Sequence, residues 1–176
     1  MLFRSDPASI ARTDPDLLGS ELDNLVQFLE YHRATFARKC AGLDAEQLKR
    51  RTTPPSNLSL LGLARHLTEV ERYWFLGCLL GRQVEDRYCT TASPDGDFDD
   101  LDSATVAEVW ADYQAAIEES RRILAGFGSA EQTSPESGRR RVRTVRWVLL
   151  HLLEEYARHN GHADLLREAI DGSTGE

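Results

Sequence analysis

The stretch Val148–Leu166, VLLHLLEEYARHNGHADLL, places Val148, Leu152, Glu155, His159, His162 and Leu166 at steps of four, three, four, three and four. That is the spacing of a seam along one face of an α-helix packed in a bundle. Three polar side chains thus stand where a bundle expects leucines. The same stripe predicts a long helix, capped by Thr144 and persisting to about Ile170, with Gly172 beyond it.

Working outward from this helix, three more long segments carry apolar residues three and four apart, and no stretch of comparable length alternates with period two. The first runs from about Asp16 to Cys40 with its stripe on Leu18, Leu22, Leu25, Leu29, His32 and Phe36, closed by Ala41-Gly42. A short helical turn at Asp44–Leu48 and a proline-rich linker, Thr52 to Asn57, follow. Ser59 is the expected cap of the second helix, whose stripe holds Leu60, Leu63, Leu67, Val70 and Trp74 before Gly81 stops it. His66 borders that stripe. Residues 82–102 form a long connection carrying Pro94, Gly96 and acids at Asp95, Asp97, Asp99, Asp100 and Asp102, a length that permits a crossover. Ser103 is the expected cap of the third helix, which carries Val106, Val109, Trp110, Tyr113, Ile117 and Ile123. The fold expected is all-α, a four-helix bundle with a long connection between its second and third helices, in a single domain spanning 1–176. About 1–15 and 173–176 are expected to be peripheral or frayed.

Composition narrows the function classes. The 176 residues suffice to bury a core without staples. The net charge of −8 disfavours nucleic acid as a partner, the basic run Arg139 to Arg146 being the one concentration of positive charge. That run is expected to pair with the acidic loop 95–102. No apolar run approaches the roughly 20 residues of a membrane span, and Met1 to Pro7 lacks a signal-peptide core, so a soluble, cytoplasmic protein is expected. Cys40, Cys78 and Cys89 are odd in number and without a CxxC pair, which argues against disulfides and thiolate zinc sites. Cys40 and Cys78 read as core residues. Apolar residues on outer helix faces leave room for a homodimer.

A carboxylate and two imidazoles on a buried face need compensation, and a divalent cation supplies it directly. Glu155 and His159 are one turn apart on one face. His66, the one histidine of the second helix, is the third candidate ligand, at similar height if the second and last helices are antiparallel neighbours. A hydrogen-bonded polar cluster without metal is the competing reading. Three ligands leave one coordination position open for water, hydroxide or a thiolate. His162, a turn beyond His159, is a candidate second-layer donor or acid/base group. Pro55, Ser56, Asn57 and Arg65 are candidates for the pocket rim, with Arg65 suited to a carboxylate. His32 stays outside the metal shell. A di-iron site is disfavoured, since Glu155 is followed three residues later by Arg158 and Glu154 by Ala157.

The runs Ser59–Leu67 (SLLGLARHL) with Val70–Phe75 (VERYWF), and Glu154–Arg167 (EEYARHNGHADLLR), resemble the two signature helices of the DinB-like bundles, and the likeness extends over nearly the whole chain. Such bundles hold zinc or nickel through one histidine of the second helix and two residues one turn apart on the last. His66, Glu155 and His159 match those positions. Many members carry histidine where this chain has Glu155, whereas the metal-binding domain of mycothiol-dependent maleylpyruvate isomerase is similar in using glutamate. The resemblance therefore implies a mycothiol S-transferase-like branch: a divalent-metal-dependent transferase, with zinc ahead of nickel, using mycothiol or a similar small thiol on a small electrophile. The second domain of the isomerase has no counterpart in this sequence. The alternative is a non-catalytic metal or small-molecule sensor built on the same three ligands.

Overall fold

The computed structural model describes residues 6–136 and 141–174. Arg139 and Arg140 of the basic run, and the chain ends 1–5 and 175–176 expected to fray, lie outside the described residues. Four long helices make the body: α1 (Glu21–Cys40), α3 (Leu60–Glu71), α5 (Val106–Leu124) and α6 (Val145–Asp171), with the short helices α2 (Ala45–Lys49) and α4 (Gly96–Asp99) in the connections. Thr133 and Thr144 form an isolated antiparallel bridge, and no strand occurs among the described residues. The architecture is the all-α bundle that the periodicity predicts.

Cross-helix partners fix the directions. His66 and Glu71 of α3, and Trp74 just beyond its end, meet His159, Tyr156 and His151 of α6, so these two helices are antiparallel neighbours. Glu21 of α1 pairs with Arg146, His32 with Asn160 and Lys39 with Asp164, so α1 and α6 run parallel. Glu30 of α1 meets Arg121 of α5, and Phe36 meets Tyr113, so α5 opposes α1. Hence α5 runs the same way as α3, against which it packs. Two packed parallel helices need a long return, and residues 80–105 supply it.

Local chemistry sets most boundaries. Ser20, Asp44, Ser59, Thr105 and Thr144 each accept a backbone N–H of the first turn they precede, and Asp44 with Gln47 completes a capping box. Gly172 ends α6 at φ 76°, a conformation that costs glycine little. Three expectations need correcting. α1 begins five residues later than Asp16, because Ser20 supplies the cap, and Leu18 lies outside the helix at 89 % exposure. Thr105, not Ser103, caps α5, since its hydroxyl is the one within reach of the Glu108 N–H. The second long helix is not regular to Gly81: beyond Glu71 it widens to a π-helical segment, Arg72–Leu79, with Leu80 N–H donating to Phe75 O.

The core runs through Leu29, Phe36, Leu60, Leu63, Leu67, Phe75, Tyr113, Val148, Leu149, Leu152, Tyr156 and Leu166. Cys40 and Cys78 are buried, and none of the three cysteines is in a disulfide. Within the core, the fully buried Glu71 takes two hydrogen bonds from Arg33, at 2.8 and 2.7 Å, and one from the Tyr156 hydroxyl at 2.7 Å. The hydroxyls of Tyr113 and Tyr156 lie 3.0 Å apart. The basic run does not pair as expected where it is described: Arg143 lies over the rings of Trp74 and Trp147, and Arg146 binds Glu21 and Glu131.

Candidate metal centre

The antiparallel contact of α3 with α6 brings His66, Glu155 and His159 together. One potential ligand atom from each lies within 4.8 Å of the others. Glu155 Oε2 is 3.6 Å from His66 Nε2 and 3.3 Å from His159 Nε2. Ligands about 2.0–2.2 Å from a tetrahedral ion stand roughly 3.4 Å apart, so both edges at Glu155 have the span of a zinc-type site. The donor set, two imidazoles and one carboxylate, is chemically suited to it.

The site is at the flank of the α6 seam rather than inside it. Val148, Leu152, His159 and Leu166 are buried as the spacing predicts, but Tyr156 takes the core position expected of Glu155, whose side chain is 14 % exposed. His162 also borders solvent. At 3.6 residues per turn the buried face drifts around a long helix, so positions 155 and 162 rotate out while 156 and 163 rotate in. A flanking site can be reached by substrate, which a sealed one cannot.

A hydrogen bond beside the cluster defines which nitrogen of His66 is free. Asp97 Oδ2 lies 2.9 Å from His66 Nδ1. A carboxylate only accepts, so the proton of neutral His66 sits on Nδ1 and leaves the Nε2 lone pair facing Glu155. His159 Nδ1 is 3.2 Å from Nδ1 of His162, the expected second-layer histidine. Burial, then the neighbouring His66, His162 and Arg158, push the His159 pKa down to about 3. Its ring is therefore neutral at pH 7, and its Nε2 faces Glu155.

Two residues that the sequence reading passed over also meet the cluster. His151 Nε2 stands 3.4 Å from Glu155 Oε1, and its ring stacks on Trp147 and meets Trp74 edge-on. Its place four residues before Glu155 was a usable signal. Asp97 had no comparable signal, being one acid in a run of five that reaches His66 only through the docking of α4.

A cavity of about 520 Å³ opens beside His66, walled by Val70, Tyr73, Trp74, Cys89, Asp97 and Phe98 among others. The expected rim residues do not line it. Arg65 is buried, donating to Asp100 O and lying over the Tyr88 ring; Asn57 donates to Asp99, and Ser56 accepts from Leu58 N–H. Arg65 and Asn57 anchor the α4 segment instead, and nothing places Pro55 at the cavity. His32 stands apart from the cluster, with Asn160 donating to its carbonyl.

The family model described as Mycothiol-S-transferase matches residues 24–172. No curated protein matches the chain.

Proposed function

Since the chain belongs to the mycothiol-S-transferase family, we propose that it joins mycothiol to small electrophiles with the help of one divalent metal ion. His66 and His159 would hold the ion through Nε2, and Glu155 through a carboxylate oxygen. Zinc is the first choice and nickel the second, the set being two imidazoles and a carboxylate with an open position. An ion there supplies the positive charge that keeps a thiol deprotonated at neutral pH. The protein's own part is placement. Tyr73, Trp74 and Phe98 give the electrophile an apolar wall beside His66 and displace water from the attacking sulfur. A hydrogen bond between the facing Nδ1 atoms of His162 and His159 would hold the His159 ring in place. Small thiols are kept reduced in the cytoplasm, which is where this reading places the reaction. Among the described residues no helix is long and apolar enough to cross a membrane.

One observation carries the metal assignment: three potential ligand atoms converge, while the Nδ1 proton of neutral His66 is directed away from them to Asp97. Convergent acceptors repel one another unless a cation stands between them. Metal content of the purified protein beside His66→Ala, Glu155→Ala and His159→Ala tests it. Near-stoichiometric metal in the wild type and loss in each variant is the expected result, together with metal-dependent consumption of mycothiol with a bimane electrophile. Undiminished metal in all three variants would sink the site. Tight thiol binding without turnover across a broad electrophile panel would favour a sensor.

A further inference from the structure

We propose that Asp97, supplied by the connection between α3 and α5, is the positioning residue of the metal centre, holding the His66 ring so that Nε2 faces Glu155 and His159. The inference rests on the metal reading above. Of the five acids between 95 and 102, Asp97 alone is buried, at 3 % exposure, while Asp95, Asp99, Asp100 and Asp102 face solvent. A carboxylate is withdrawn from water at a cost unless its oxygens find donors. Both of Asp97's do: Oδ2 meets His66 Nδ1 at 2.9 Å, and Oδ1 accepts the Phe98 N–H at 3.1 Å.

The grip on the ring has two sides. Asp97 fixes its edge, and Phe98, the next residue, stacks on its face with centroids 5.3 Å apart and planes 28° from parallel. Both come from one turn of helix that is itself tied down. Arg65 donates to Asp100 O, Arg51 to Phe98 O, Asn57 to Asp99 and Ser93 to Asp100. Gly62 lets this turn approach α3, because a Cβ there would lie 2.9 Å from Phe98 Cδ1 and 3.5 Å from Asp97 O. An imidazole turns freely about its Cβ–Cγ bond unless something selects one orientation. A carboxylate on Nδ1 makes that selection and raises the basicity of the opposite nitrogen, which strengthens it as a ligand.

The test is zinc affinity by chelator competition for wild type, Asp97→Asn and Asp97→Ala, with thermal unfolding of the metal-free proteins and the visible spectrum of the cobalt-substituted forms. The near-isosteric Asn keeps an acceptor but loses the charge. Affinity should fall about tenfold for Asn and about 100-fold for Ala, with a displaced cobalt band and an unfolding temperature for Asn equal to wild type. A purely structural role for Asp97 would move the unfolding temperature and leave affinity and spectrum alone, which overturns the proposal. So does zinc affinity in both variants within twofold of wild type. If Asp97→Ala does not fold, the Asn variant decides alone. A wild-type protein that binds no metal fails at the earlier reading, whereas metal binding indifferent to Asp97 fails only here.

Discussion

Glu71 lies five residues beyond His66 on α3, and Tyr156 lies one beyond Glu155 on α6, so their hydrogen bond locks the two helices in register beside the proposed metal centre. The lock is a network with unequal members. Glu71 is the acceptor for Arg33 and Tyr156 together, and Arg33 is itself buried. Removing the carboxylate strands a buried guanidinium, whereas removing the phenol leaves the ion pair intact. Glu71→Ala should therefore cost about 3–5 kcal/mol of unfolding free energy, and Tyr156→Phe about 1.5–3 kcal/mol, the range for a hydrogen bond to a charged group. Denaturant unfolding of the two variants checks the order. Equal losses would mean that Arg33 finds another partner and that the register does not depend on this carboxylate.

Among the α-helices, α4 is the shortest and governs the site most directly, since it carries both Asp97 and Phe98. Its close packing has a specific requirement at Gly96, where a Cβ would fall inside contact distance of the Tyr88 carbonyl oxygen. A backbone atom cannot swing aside as a side chain can, so Gly96→Ala should displace the turn and cost about 1–3 kcal/mol. Limited proteolysis should then cut between 86 and 100 sooner than in the wild type. Unchanged cleavage and stability would show that the turn tolerates the methyl group. The contrast with α6 explains what the sequence made legible. Helical stripes, the caps at Ser59 and Thr144 and the pairing of Glu155 with His159 are encoded within a turn or two of chain, and those readings agree with the structure. The exact start of α1 was hidden because Leu17 and Leu18 extend the apolar pattern without being buried. Glu155 was read as a seam residue because a heptad count does not follow the rotation of a 27-residue helix. Asp97 and the anchoring role of Arg65 depend on contacts 31 and 35 residues apart, made through an irregular loop. No periodicity reports such contacts.

At the scale of the whole molecule, the net charge is −8, and the cavity beside His66 is acidic. Its wall includes Glu69, Glu85, Asp86, Asp95 and Asp97, and no lysine or arginine among the described residues. Not all of these carboxylates are available to a ligand. Glu69 Oε1 accepts the backbone N–H groups of Arg87, Tyr88 and Cys89, and Asp97 is engaged by His66. A bound divalent ion would balance Asp97 and Glu155. Glu85, Asp86 and Asp95 then remain as uncompensated negative charge at the mouth, beside the aromatic faces of Tyr73 and Trp74. That combination attracts cations, through the field over a distance and through the rings at contact. Among electrophiles with equal intrinsic reactivity toward a thiol, those bearing a quaternary ammonium should therefore have higher kcat/KM than neutral analogues, and carboxylated ones lower. Because the screening length is about 8 Å at physiological salt and about 3 Å at 1 M, the preference should shrink as salt is raised, while the rate with the neutral analogue stays level. Replacing Glu85, Asp86 and Asp95 together by the corresponding amides should flatten the preference without changing metal content. A charge preference that survives both high salt and this triple replacement would place its origin elsewhere than the mouth of this cavity.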